Sequence, residues 1–338
     1  MTIEKPTNIG LFTTIRRLGG LQWRLKKQER YFNEQLPPIL ASLSAGPDGT
    51  LSTGTIKRIN KYWQLSLNVI CNSLYELTGR TLSDAEQRRI LLLSIFGPLY
   101  DDLFDDQILH YEQIAAFTLE PEQHTPASFK EHVVKTVYVQ VLQESPDRQR
   151  VIKHLHDVFI WQKASLKQLS PDIDEAELYE ITYKKSYYSV LLAYSILDHY
   201  PTPTMLEMLY PMAGLLQLTN DAFDVYKDVQ GGVYTIPNLY RNFDKLQQHF
   251  MADVAKFNHT LRDLPVMQSA KAAYAITIHA LHGMGCIAME QLKAVTRDVQ
   301  STAELATLSR QALVCDMDSF RQKLRWVKQV RDLVNYRQ

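Results

Sequence analysis

Apolar residues recur along this chain at the three-to-four-residue spacing of amphipathic helices, and nowhere with the sustained alternation of a strand. The pattern predicts about ten helices. Their starts carry capping signals: Ser83-Asp-Ala-Glu86 and Ser301-Thr-Ala-Glu304 have capping-box spacing, and Asp174-Glu-Ala-Glu177 is an acidic start. Stops are equally readable. Gly46-Pro-Asp-Gly49 reads as a turn, Pro201-Thr-Pro203 separates two helices, and Gly231-Gly232 ends another. Two segments, Arg89 to Tyr100 and Tyr188 to Leu197, are apolar on nearly every face, as in the interior of a bundle. No repeat, low-complexity tract or linker interrupts the pattern. The expectation is one all-α domain, 1–338, built as a helical bundle.

Composition narrows the classes. At 45% hydrophobic and 22% charged, the chain is too apolar for a disordered one. Lys plus Arg (37) balances Asp plus Glu (37), so the basic surplus of a nucleic-acid binder is missing and no nucleic-acid partner is expected. Cys71, Cys286 and Cys315 stand far apart with no metal-ligand spacing, which suits free thiols in a reducing compartment. The first twenty residues lack a cationic start followed by an apolar core. The apolar runs Ile90 to Phe96 and Val190 to Leu197 are too short to span a bilayer. The expectation is a cytoplasmic protein without a transmembrane segment.

Charge becomes informative where it is concentrated. In Leu99-Tyr-Asp-Asp-Leu-Phe-Asp-Asp-Gln107, Asp101 with Asp105 and Asp102 with Asp106 are i,i+4 pairs, so helical carboxylates face the same way. Like charges about 5 Å apart repel by about 3 kcal/mol at an effective dielectric of 20. A buried cluster of this kind needs a cation. The plainer reading is a helix beginning at Pro98 with acids in its first turn. In Leu218 to Gly232, Asn220, Asp224 and Asp228 form a stripe at i, i+4, i+8, and Asp221 adds a fourth oxygen-bearing side chain. Hard oxygen ligands suit Mg²⁺, which prefers to share its shell with substrate phosphates. The plainer reading here is a solvated helix end, with Lys227 paired to Asp224 or Asp221.

The two stretches together resemble the metal-binding motifs of class I isoprenoid synthases, the superfamily of terpene cyclases and trans-prenyl diphosphate synthases. Asp101-Asp102-Leu-Phe-Asp105 matches the DDxxD pattern. Asn220 to Asp228 matches the spacing of the NSE/DTE motif, with Asp at positions where Ser or Thr and then Glu are usual. The resemblance implies a helical bundle around a central apolar pocket. It implies three Mg²⁺ ions, with Mn²⁺ as a substitute, held by Asp101, Asp102, Asp105, Asp106, Asn220, Asp221, Asp224 and Asp228. A prenyl diphosphate would be the small-molecule partner, and a homodimer is an assembly frequent in that superfamily. Basic and aromatic candidates follow. Lys184 and Lys185, placed before an apolar helix Ser186 to His199, suit the leaving diphosphate, with Lys227 beside the second motif. The C-terminal segment offers Arg321, Arg325, Lys328, Arg331 and Tyr336-Arg337, the last in reversed order to the family's Arg-Tyr pair. Phe104 and Tyr187 are ring faces that suit a carbocation or simply fill a core.

The implied reaction is Mg²⁺-triggered ionisation of farnesyl or geranylgeranyl diphosphate, then cyclisation or deprotonation, with release of diphosphate. No Arg pair follows the first motif, and Gly231-Gly232-Val233 stands where elongating enzymes carry Gly-Lys, which favours a cyclase. Thr235-Ile-Pro-Asn-Leu239 looks more like the prenyl synthase side, so an elongating or head-to-head condensing prenyltransferase is the alternative. A non-catalytic helical interaction protein is the third reading.

Overall fold

The computed structural model describes residues 8–43 and 49–337, and among them the helical pattern is realised without a single strand. The turn read at Gly46 to Gly49 lies, but for Gly49, outside the described residues. The chain divides into two compact units, one drawing on 21–163 and 188–201, the other on 8–20, 164–187 and 202–337.

The long helix α1 (Leu11–Leu43) leads into the first unit. Next comes one unbroken rod: α2 (Thr53–Gln64), a π-helical stretch Leu65–Cys71, and α3 (Asn72–Leu77). Helix α4 (Asp84–Asp105) is the core element, followed by α5 (Tyr111–Leu119), α6 (Phe129–Glu144) and α7 (Arg148–Ala164). Ser83 caps α4 through the predicted box: its hydroxyl accepts from the Glu86 amide, and the Glu86 carboxylate accepts from the Ser83 amide. The same carboxylate accepts the Tyr75 hydroxyl and the Asp198 amide, which lets it stay buried. α4 packs between α2 and α6; Ile90, Leu92, Ile95 and Leu99 of α4 and Val133 and Val137 of α6 are all buried. The Phe96 ring lies 4.9 Å from Tyr138 and 5.0 Å from Tyr100.

The second unit continues with a 3-10 turn, Ser165–Leu169, and α8 (Glu175–Ser195), whose residues from 188 onward count with the first unit. Asp174 caps α8 by accepting from the Ala176 and Glu177 amides. The predicted acidic start at Asp174 and the predicted helix from Ser186 are therefore one continuous helix, because nothing between them breaks it. Then come α9 (Pro203–Gln230), α10 (Ile236–Leu239), α11 (Phe243–Asp263), α12 (Gln268–Val295), α13 (Thr302–Ala306), α14 (Arg310–Leu313) and α15 (Phe320–Asn335). Pro203 opens α9 at its first position, and Gly231 with Gly232 at φ 67° closes it, as the sequence predicts.

α9 packs on α11 and α12, and α15 on α12. Two glycines permit close approach. A Cβ on Gly214 would stand 2.1 Å from the Tyr183 ring, and one on Gly285 would stand 2.3 Å from the Thr219 hydroxyl. The apolar runs singled out from the sequence omit α12, which is as long as α9 and strongly apolar. An 18-residue stretch of it has mean hydropathy 1.3 and is 78% buried. At its centre His279 and His282 are buried, with their Nδ1 atoms 3.0 Å apart and His279 Nε2 3.0 Å from Asn258 Oδ1. Burial holds both imidazoles far below their usual range, His282 at about 3.

Gly214→Ala should cost about 1–3 kcal/mol by overpacking against Tyr183, read as a lowered urea midpoint. Because the unfolded chain takes up protons that the native imidazoles refuse, this pair stabilises the protein above about pH 6.5 and withdraws that stability as pH falls, by up to about 1.4 kcal/mol per pH unit for each ring. His282→Leu should flatten the loss of urea midpoint between about pH 6.5 and 5. An unchanged slope removes the pair as its source.

Candidate functional site

The first acidic motif sits at the end of α4, not at the start of a helix. Pro98 lies inside the helix, and Asp101, Asp102 and Asp105 occupy its last turn, with Asp106 as the C-cap residue. This overturns the reading of Pro98 as a first helical residue. The apolar run from Ile90 is one helix that tolerates the proline, and its acids face the negative end of the helix dipole, where they are disfavoured.

Cations meet that cost. Arg58 donates from Nη1 to Asp102 Oδ1 at 2.5 Å and from Nη2 to the Pro98 carbonyl at 2.9 Å. Lys130 donates to Asp102 Oδ2 at 3.0 Å and to Asp106 Oδ2 at 2.9 Å. Asp102 is buried and fully committed to these two partners. The Tyr62 hydroxyl donates to Asp101 Oδ2 at 2.6 Å, and that carboxylate raises the phenol well above its usual value. Asp105 is exposed. The sequence reading missed Arg58, Tyr62 and Lys130. Arg58 and Tyr62 are an i,i+4 pair, the one local hint that both serve a single neighbour; Lys130 carries no local signal at all. Phe104 is buried, with Tyr100, Tyr111 and Phe159 rings around it, and so fills the core of this unit.

Beside this motif a cavity of about 560 Å³ opens against Ile108, Leu109, Phe117, Glu120, His124 and Glu131, a mixed polar and apolar lining.

The second motif lies on the last turns of α9. Asn220 is exposed, and its amide donates to Asp224 Oδ2 at 3.4 Å. Asp221 is 4% exposed; Gln217 donates to its Oδ1 at 2.8 Å, while its buried Oδ2 has no hydrogen-bond partner. Burial, with added repulsion from Asp228 and Asp224, pushes the Asp221 carboxyl up to about 7. Burial and then Asp224 push Asp228 up to about 7 as well. Lys185 of α8 lies within electrostatic reach of both and favours their ionised forms. The structure thus brings Lys185 to the acidic stripe from mid-helix, in place of the predicted helix start. Lys184 is half-buried beside it. Lys227 is exposed on the solvent side of α9 and acts on Asp228 only through its charge.

This donor set fits a cation. Three carboxylates share one helix flank, two hold their protons near neutral pH, and one buried oxygen lacks a donor. A dication would answer all three facts. Even so, among the described residues no three His, Cys, Asp or Glu side chains are already gathered as a formed metal cage.

The remaining candidates are placed elsewhere. Tyr187 meets Tyr210 edge-on, with centroids 5.2 Å apart. Arg325 forms an ion pair with Glu290. Tyr336 caps α15, and its carbonyl accepts from Asn258 Nδ2 at 3.2 Å. Compared with models of protein families, with curated proteins and with solved structures, the chain matches none.

Asp221 and Asp228 oppose folding at neutral pH, because their native pKa values lie above the unfolded ones and the penalty grows as pH rises from about 4 to 7. Asp221→Asn should therefore stabilise the metal-free protein at about pH 8 by on the order of 2 kcal/mol and leave it unchanged near pH 4. Thermal melts at the two pH values check this.

Proposed function

We propose that this chain is a Mg²⁺-dependent enzyme that ionises a prenyl diphosphate, and that the acidic stripe at the end of α9 is its metal-binding element. The observation that carries the reading is the charge deficit of that stripe: Asp221, Asp224 and Asp228 crowd one helix flank with Lys185 as the nearby cation. Asn220, Asp224 and Asp228 would hold the ion. When bound, Mg²⁺ supplies positive charge to the diphosphate oxygens as the C–O bond breaks. Lys185 and Lys184 bind that leaving group from α8, where their charges oppose its four ionisable oxygens. Asp221, held at Oδ1 by Gln217, adds its carboxylate charge to the same flank. Asp101 and Asp105 belong to the other unit and are assigned to the same activity from their motif alone.

The test is incubation with geranyl, farnesyl and geranylgeranyl diphosphate and Mg²⁺, with and without isopentenyl diphosphate, and mass analysis of the products. The expected result is diphosphate release with a cyclised or deprotonated hydrocarbon. Products that appear only with isopentenyl diphosphate would make the enzyme an elongating transferase. Asp224→Asn should lower turnover at least about 100-fold with the helical circular dichroism retained, as for loss of a charge-stabilising group. Mg²⁺ with inorganic diphosphate should raise the melting temperature of the native chain and not of this variant. Full activity in Asp224→Asn, or no Mg²⁺-linked shift, leaves only the helical interaction protein.

A further inference from the structure

Helix α15 is held by one flank and loaded with charge on the rest. Trp326, Val330 and Leu333, at i, i+4 and i+7, form its inner edge. The Trp326 indole donates to the Ala280 carbonyl at 2.6 Å, and Val330 lies against Gly283 of α12. A second ridge at the same spacing is made by Phe320, Leu324 and Val327. Phe320 is 76% exposed and Leu324 55%, the most open apolar pair on any helix of the second unit's C-terminal half. Asp316 and Asp318 stand exposed just before Phe320, but along the helix itself the charge is nearly all positive. Residues 320–337 carry Arg321, Lys323, Arg325, Lys328, Arg331 and Arg337 against Asp332 alone, in a chain whose net charge is zero. Arg325 is engaged by Glu290 and Arg331 by Asp332, while Arg321, Lys323 and Lys328 are exposed beside the ridge.

An apolar ridge of aromatic and leucine side chains, rimmed by cations whose long stems can lie along it, is the chemistry that seats a helix in the interface of an anionic bilayer. A protein partner of neutral surface would have no use for the segregated cations. We propose that α15 docks the protein reversibly on anionic membrane surfaces, with Phe320 and Leu324 entering the acyl boundary and Arg321, Lys323 and Lys328 meeting lipid phosphates. The inference is independent of the proposed reaction, since it uses no residue of the acidic stripe.

The experiment is flotation of the full chain with vesicles of phosphatidylglycerol and phosphatidylcholine, compared with pure phosphatidylcholine, at low and high salt. The expected result is binding to the anionic vesicles that weakens at least about tenfold at high salt, because surface charges are screened within a Debye length. Phe320→Ser with Leu324→Ser should cut partitioning at least about tenfold, and Arg321→Glu with Lys328→Glu should abolish it at low salt. These positions are exposed, so unchanged melting temperatures should accompany both losses. Equal binding to neutral and anionic vesicles, no flotation, or variants that float like the parent would overturn the proposal. So would a concentration-dependent dimer, seen by sedimentation, that is lost in Phe320→Ser with Leu324→Ser while the parent ignores lipid.

Discussion

A carboxylate taken out of water must be met by a cation, by N–H and O–H donors, or by a proton. This chain applies all three answers to its helix-borne acids, and much of its architecture follows from which answer is used where. Glu86 is met by donors: its own cap, the Tyr75 hydroxyl and the Asp198 amide. Asp102 is met by cations, with Arg58 and Lys130 delivered from α2 and α6 onto the end of α4. Those two ion pairs tie the three helices at the point where the dipole and the local charge would otherwise push α4 apart. Asp221 and Asp228 are met by neither in full, and their protons remain near neutrality.

That contrast separates two motifs that look alike on paper. Both are runs of acids that follow an apolar helical segment. In α4 the second aspartate of the run is paired to Arg58 and Lys130, and Asp101 accepts from Tyr62. In α9 the corresponding crowding is left open, and packing rather than pairing fixes the helix. Tyr183 lies over Gly214 and Thr219 over Gly285, so α9 is clamped from two sides just before its acidic turns. Rigid placement of an unsatisfied group is what preorganisation for a charged ligand requires.

How much of this could be read from the residues varies with the range of the interaction. The Ser83 box, the Asp174 cap, Pro203 at the start of α9 and Gly231 at its end were all legible, because each is settled within four residues. The helical class was legible for the same reason. Pro98 was misleading: a proline before four aspartates imitates a helix start, and only the burial of Ile90 to Leu99 on both sides of it carries the helix through. The partners of Asp102 come from 44 and 28 residues away, so no local pattern announces them. Lys184 and Lys185 were singled out by position but set at a helix start, since the periodicity of α8 could not show that its two halves join.

The π-helical stretch Leu65–Cys71 changes the phase of a whole rod. A π-turn holds one residue more than an α-turn, so side chains beyond it are rotated by roughly 100° from where an uninterrupted α-helix would leave them. Before the bulge, Trp63 stacks on Tyr31 and donates to the Gln28 carbonyl. At its last residue and beyond, Cys71 and Tyr75 meet the segment 193–199: the thiol lies 3.7 Å from the Ala193 carbonyl and the Tyr75 oxygen accepts from the His199 amide. One added residue thus lets a single continuous rod serve two neighbours that lie in different directions, without a loop and without a break in its backbone.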